Sequence, residues 1–386
     1  MTPVIRSTVV DVDLDAIAAN TRAIRARADV DVIAVVKGDG YGHGAEAVGE
    51  AAMDAGAVAL AVATVEEAIV LRRARPHDPL LVLLGATEQA ERDAAVALDL
   101  ALTVWDIDRA RALAKAARAA GKTATVQFKV DTGLTRLGAP LAEASDRYRA
   151  IAALPGLRVD GVFTHLASAD ERDLGTATAQ LDGFDRFLDA IDPPRWVHAS
   201  ASAGVASLPT RARMTAVRTG VAIYGLHPAP HLAGRLPLTP ALSWRSRVHR
   251  VADVPRGTGV SYGSEYRLPR DGRIATVPVG YGDGLARTSR GARLLVHGTA
   301  VPIAGRIAME HVMLDVTELG DVKVGDEVVV IGTQEGTTAT AEDLAAARGT
   351  INYEVVAAIS PRVPRRYTRG GRLVATKTLA DGYARC

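Results

Sequence analysis

Hydrophobic and polar positions follow a regular rhythm from Val30 to about Gly225. Short runs of Val, Ile and Leu are followed by longer segments whose apolar residues return at helical spacing, the pattern of repeated β-α units around a parallel sheet. Eight such runs stand at residues 30–36, 58–63, 80–84, 100–104, 125–130, 159–164, 196–199 and 215–217, each bounded by a helical stretch or a turn. Eight units predict a barrel. Leu14, Ile17, Thr21 and Ile24 share one helical face, and Leu181, Phe184, Phe187, Leu188 and Ile191 another; both stripes read as core.

Near Leu226 the rhythm breaks. Pro228, Pro230, Pro237 and Pro240 punctuate a linker, and the chain beyond them is made of short strands separated by Gly, Pro and Asp turns. The expected fold is α/β plus β: an N-terminal (β/α)8 barrel of the TIM type over residues 1–235, and a mostly-β domain over residues 236–386. The first stretch, about ten residues, is a candidate to pack with the second domain. Within that domain, residues 326–331 read as an apolar strand and 341–347 as a short helix opened by Thr338 or Thr340.

Composition narrows the function classes. With 46 basic and 44 acidic residues and no long run of one sign, nothing resembles a nucleic-acid stripe or a membrane-binding face, and small-molecule chemistry is the better expectation. The single cysteine is the last residue, Cys386, which excludes an intramolecular disulfide and a multi-cysteine metal site. No metal is expected. Residues 1–20 lack the features of a signal peptide and the apolar stretch at 55–63 is too short to span a bilayer, so a cytoplasmic location is expected.

Barrels of this kind carry their active sites at the C-terminal ends of the strands. Lys37 ends the first candidate strand and is followed by Gly38-Asp39-Gly40-Tyr41-Gly42-His43-Gly44 and then a helix. Taken alone, Lys37 is open to two readings, a solvated strand end or a partly buried amine whose lowered pKa suits Schiff-base chemistry. The glycines alone could simply turn the chain. The other strand ends are equally open to structural readings. Lys129 and Arg136 flank Asp131 in what could be a solvated rim, His165 could be a satisfied structural histidine, and Ser202 could be a helix N-cap. Arg218 follows the eighth run, before Thr219-Gly220-Val221. In the second domain, Gly259-Val260-Ser261-Tyr262-Gly263 reads as a β-turn.

Lys37 followed at fixed spacing by Tyr41-Gly42-His43-Gly44 resembles the pyridoxal-phosphate lysine motif of bacterial alanine racemases. The likeness continues in family order through Lys129 to Gly138, His165, Ser202, Arg218 to Gly225, Ser261-Tyr262-Gly263, Val279 to Arg287, Gly305 to His311 and Ile351 to Val355, spanning both domains. It implies an enzyme that interconverts L- and D-alanine on pyridoxal 5'-phosphate, a homodimer with active sites shared between subunits, supplying D-alanine for peptidoglycan. Lys37 would form the Schiff base and act as base on one face of the α-carbon, while Tyr262 from the partner subunit would act on the other. A tyrosine ordinarily titrates near about 10, so that role calls for a positive neighbour or a relay through His165 and Arg218. Tyr41, Ser202, Gly220, Val221 and Tyr353 would hold the phosphate, with His165 and Arg218 at the pyridine ring. An arginine there accepts no proton, which restrains the ring as an electron sink. Arg136 and the Met309 amide would bind the substrate carboxylate, with Arg136 oriented by a carbamylated Lys129. Tyr281 would narrow the entrance with Tyr353, and Asp170, Arg287 and Arg306 would line its outer mouth.

Departures from the family pattern fall at Gly38-Asp39-Gly40, at Thr135 where a glycine is usual, at Ala201 where Asn is frequent, and at Ala308 and Glu310 where Cys and Asp are usual. Two alternatives remain: a racemase of serine or a larger amino acid on the same scaffold, and a non-catalytic pyridoxal-phosphate carrier, which the complete second domain with Tyr262 argues against. Related decarboxylases share the architecture but not these motifs.

Overall fold

The computed structural model describes residues 4–386, which divide into two compact units. One comprises residues 16–40 and 48–240, the other residues 4–15, 41–47 and 241–386.

The first unit is the barrel. Its strands are β1 (Asp31–Val35), β2 (Ala59–Val62), β3 (Leu80–Val82), β4 (Ala101–Val104), β5 (Ala124–Asp131), β6 (Leu157–Phe163), β7 (Trp196–His198) and β8 (Ala216–Thr219). All neighbours pair in parallel, β8 pairs with β1, and the β4–β5 pairing completes the ring. The eight runs of apolar residues therefore became the eight staves. Such strands are covered on both faces, which is why β2 and β3 are buried at every position. Helices intervene. The stripe Leu14, Ile17, Thr21 and Ile24 lies on the helix Leu14–Ala28, with each of these residues buried. Leu181, Phe184, Phe187 and Leu188 lie buried on the helix Gly175–Asp189, and Ile191 falls just beyond its end. After β8 the chain is tied back by Asn20, whose amide donates to the carbonyls of Ile223 (3.2 Å) and Thr239 (2.8 Å) and accepts from the Thr239 N–H (2.8 Å). Gly225 is required at this return: its φ is +82°, and a Cβ would meet the Thr239 carbonyl oxygen at 1.9 Å.

The second unit is mostly β. Its main sheet runs Thr299–Pro302, Arg293–Val296, Glu327–Gln334, Leu242–Arg247, Val9–Asp13, Arg365–Arg369, Arg372–Thr378 and Gly382–Arg385, with Thr337–Ala339 added on Glu327–Gln334. Val9–Asp13 is antiparallel to Leu242–Arg247 and parallel to Arg365–Arg369. The predicted strand at 326–331 is Glu327–Gln334, and the predicted helix is Ala341–Arg348, with Thr340 as the capping residue: its hydroxyl accepts the Asp343 N–H at 3.0 Å. Smaller sheets pair Arg250–Val254, Gly272–Val277 and Val312–Asp315, and Gly259–Val260 with Tyr266–Arg267. Arg365 is 2% exposed. It is tolerated because its guanidinium donates to the carbonyls of Gly42, Ile359, Ser360 and Val363 at 2.6–3.1 Å.

Candidate active site

Lys37 leaves the C-terminal end of β1, one residue past Val36, whose N–H donates to the Ala61 carbonyl at 2.8 Å. The lysine is half-buried. Burial first, and then the positive charges of Arg136 and Arg218, hold its pKa below the ordinary lysine value, with Glu67 pulling the other way. The residues that follow, Gly38 to Gly42, all have positive φ, a left-handed turn that glycine adopts without strain and Asp39 and Tyr41 do not.

Arg218 is the hub of the barrel mouth. It is 4% exposed and its guanidinium donates to His198 Nδ1 (2.6 Å), His165 Nδ1 (2.9 Å) and the Thr164 carbonyl (3.0 Å). Because guanidinium only donates, both imidazoles present a lone pair at Nδ1. The proton of His198 is then on Nε2, which donates to Gln127 Oε1 at 2.8 Å. Burial, reinforced by Arg218, keeps His198 well below the usual histidine range. His165 is brought down to about 2 by burial and by Arg218, Arg136, Lys129 and Lys37 in turn. Neither imidazole is charged at neutral pH. Phe163 stacks on His198 at 4.9 Å between centroids, with the Arg218 guanidinium 4.8 Å from its centroid.

Lys129 is 5% exposed on β5, its Nζ 5.8 Å from the Phe163 ring. Burial and the repulsion of Arg218 and Arg136 bring its pKa to about 8. Arg136 is exposed at the rim beyond it, on a turn in which Asp131 accepts the N–H groups of Gly133 (2.9 Å) and Thr135 (3.1 Å). Thr135 has φ +56°, a torsion at which a β-branched side chain is strained.

Ser202 is not a helix cap. The helix Ser202–Ser207 has Ala201 at its N-cap, without a side-chain bond. The Ser202 hydroxyl instead accepts the N–H groups of Gly220 (3.1 Å) and Ala222 (3.2 Å). The Val221 amide between them makes none of the hydrogen bonds among the described residues. Asp170 is exposed on the loop after β6.

In the second unit, Tyr262 is 67% exposed. Its turn has positive φ at Ser261, Gly263 and Ser264 and is braced by Arg306: the Ser261 hydroxyl donates to the Arg306 carbonyl at 2.6 Å, and the Arg306 guanidinium pairs with Glu265. Arg290 also pairs with Glu265 (3.2 Å), and Arg287 is close enough to help lower its pKa. Tyr281 and Met309 are exposed on adjoining segments, the Tyr281 N–H donating to the Ala308 carbonyl and the Gly282 N–H to that of Met309, each at 3.0 Å. Glu310 forms a two-pronged pair with Arg362 (2.6 and 3.2 Å), and Arg362 also holds the fully buried Asp283 at 2.7 Å. The longer carboxylate at 310 is thus part of an ion network. The rings of Tyr41 and Tyr353 lie 6.2 Å apart, tilted by 53°.

Sequence reasoning assigned no role to Gln127, His198, Thr164 or Glu67. Gln127 and Lys129 stand two apart on β5 and point to the same side, and both are almost fully buried. Polar side chains alternating inside an otherwise apolar strand were the available signal.

Comparison with known proteins agrees in both units. Residues 12–228 match the family model described as alanine racemase, N-terminal domain, and residues 241–367 the one described as alanine racemase, C-terminal domain. The chain is 42% identical over 378 residues to the alanine racemase of Desulfosudis oleivorans, covering 93% of this chain and 96% of that one. It is 38% identical to that of Methanococcus maripaludis over 327 residues, 83% of this chain and 87% of the relative. Among solved structures, the alanine racemase of Bacillus anthracis with bound L-Ala-P superposes with a TM-score of 0.90 at 36% identity, covering 98% of this chain and all of that one. The enzyme of the D-cycloserine producer Streptomyces lavendulae gives 0.90 at 39% identity, covering 96% of this chain and 98% of that one. With two family models together spanning most of its length and relatives of this identity along nearly the whole chain, the protein belongs to the alanine racemase family.

Proposed function

We propose that this protein is a pyridoxal-phosphate-dependent isomerase that interconverts L- and D-alanine. The observation that carries the reading is Lys37, a half-buried strand-end lysine whose ammonium form is disfavoured by burial and by two arginines. The residues present suit the cofactor. A lysine with a lowered pKa is the amine its aldehyde requires, and the open Val221 amide beside Ser202 and Gly220 suits a phosphate. Lys37 would hold the carbonyl carbon, Arg218 and His165 would attend the ring, and Ser202, Gly220, Val221, Tyr41 and Tyr353 are the proposed phosphate ligands. When bound, pyridoxal phosphate withdraws electrons from the attached amino acid and acidifies its α-hydrogen.

Inversion needs a proton removed from one face and returned on the other. Lys37 Nζ, once neutral, takes or returns it on one side. Tyr262 of the partner subunit serves the other, which makes a homodimer the working form. Arg218 keeps its charge and its proton, so it orients without acting as an acid. Arg136 and the Met309 amide bind the alanine carboxylate, and a carbamate on Lys129 would turn a repelling neighbour of Arg136 into a hydrogen-bond acceptor. Tyr281, Arg287, Arg306 and Asp170 form the entrance in this reading. We place the enzyme in the cytoplasm as a source of D-alanine for peptidoglycan.

The test is a visible spectrum with pyridoxal phosphate, borohydride trapping at Lys37, and α-hydrogen exchange of each alanine enantiomer in heavy water. Lys37→Ala should lose both the spectrum and inversion. Tyr262→Ala should keep the spectrum and lose inversion by roughly 10²- to 10⁴-fold. Full racemase activity in either variant refutes the assignment, and a panel in which serine outpaces alanine would change the substrate.

A further inference from the structure

Lys37 enters a left-handed turn immediately, with φ of +62°, +50° and +62° at Gly38, Asp39 and Gly40. An added Cβ at Gly38 would meet nothing within 4 Å, so glycine is demanded there by the torsion and not by space. Such a turn, rich in glycine, needs something to hold it. The Gly40 N–H donates to the Val36 carbonyl at 2.8 Å, spanning the lysine. A further restraint comes from Glu67, in the first turn of the helix Val65–Ala74. Its Oε1 accepts the Gly38 N–H at 2.6 Å, while Oε2 accepts those of Ala63 (2.7 Å) and Thr64 (3.2 Å). The Thr64 hydroxyl accepts the Glu67 N–H at 3.3 Å and completes a capping box.

We infer that Glu67 is a positioning residue for Lys37: its carboxylate clamps the Gly38 peptide to the start of a barrel helix and so fixes where the lysine leaves β1. The inference rests on Lys37 being the carbonyl-binding lysine. A capping box needs only the Oε2 side of this carboxylate, and the Oε1 bond to Gly38 reaches outside the helix to the segment that carries the amine. Only a carboxylate fills both places, because glutamine would turn an NH₂ group toward one of the two sets of donors. The negative charge also opposes the lowering of the Lys37 pKa by burial, Arg136 and Arg218. Clamp and charge act on the same amine.

The experiment uses the full-length chain and the variants Glu67→Gln and Thr64→Ala. Amide exchange at Gly38 is read by fragmentation mass spectrometry, and the pH midpoint of Lys37 acylation by trace acetic anhydride is read after pyridoxal phosphate has been removed. Glu67→Gln should speed exchange at Gly38 by about tenfold or more and lower the Lys37 midpoint by about half a pH unit. Thr64→Ala weakens the helix cap alone and should move neither. If Glu67→Gln does not fold, Glu67→Asp keeps the charge but is too short for Gly38, so exchange should rise with the midpoint near that of the wild type. Wild-type exchange and midpoint in the Glu67 variant, or equal changes in Thr64→Ala, overturn the inference. Failure of wild-type Lys37 to form a borohydride-trapped adduct with pyridoxal phosphate would instead refute the proposed function, while the exchange result would still decide the clamp.

Discussion

Lys129 offers the sharpest quantitative prediction. The side chain is 5% exposed among Arg218, Arg136 and Lys37, and its pKa stands at about 8 against an ordinary 10.5. At about 1.4 kcal/mol for each pH unit between those values, the buried ammonium costs the fold about 3 kcal/mol at neutral pH. The sign follows from proton binding. Below the folded pKa both states are protonated and the full cost applies; between about 8 and 10.5 the native state has already lost its proton, so stability rises with pH; above 10.5 the cost is gone. Lys129→Met keeps the aliphatic stem and removes the charge, so in carbon-dioxide-free buffer it should be the more stable protein below pH 8, with the advantage vanishing toward pH 10.5. Urea unfolding of the two proteins at a series of pH values measures that gap. The lowered pKa also exposes the amine to carbon dioxide, which adds only to the neutral form: about one molecule in ten is neutral at pH 7, against about one in three thousand for an ordinary lysine. Bicarbonate labelled with ¹³C should therefore give the wild type a carbamate resonance and a gain in stability that Lys129→Met lacks. A stability gap that does not vary with pH, or a carbamate spectrum identical in the wild type and Lys129→Met, would refute this account.

Three further outcomes can be checked. Asp283 is buried, which by itself would raise its pKa, but bonds from Arg6, Arg362 and the Gly280 N–H bring it below the usual aspartate value; Asp283→Ala should cost about 3 kcal/mol at neutral pH in urea unfolding, and the wild type should lose this contribution as pH falls below about 4 and through the folded pKa. Thr135→Gly, at φ +56°, should leave the fold intact and raise the unfolding midpoint, corresponding to about 1 kcal/mol of relieved strain; a lower midpoint would show that the threonine side chain compensates its backbone. Gln127→Leu removes the acceptor for His198 Nε2–H and should cost about 1–3 kcal/mol, with ¹⁵N spectra of the wild type showing Nδ1 of His198 unprotonated and the variant losing the Nε2 hydrogen-bond shift.

The architecture was legible because it rests on local regularities. A strand buried on both faces must be apolar throughout, and a helix that covers it must repeat its apolar residues every three or four positions. Those two constraints marked eight strands and the stripes Leu14–Ile24 and Leu181–Leu188 with no knowledge of what packed against them. The proposed site residues, Lys37, Arg218 and Tyr262 among them, were marked by resemblance and not by period. The capping residue of the helix Ala341–Arg348 was left open between Thr338 and Thr340, because a cap depends on which hydroxyl reaches the third amide.

What tertiary structure alone decided are the partners. Nothing along the chain joins Gln127 to His198, 71 residues away, or His198 to Arg218, yet this line of hydrogen bonds sets where the protons of two histidines reside. The same holds for Glu67, whose Oε1 reaches across 29 residues of sequence to the peptide after Lys37. Ser202 read locally as a cap and proved to bind the turn after β8. Sequence period reports how one element meets its surroundings as a whole, apolar or polar. The charge state of a lysine or the tautomer of an imidazole depends on individual atoms a few ångströms away, and closing the barrel is what brings those atoms together.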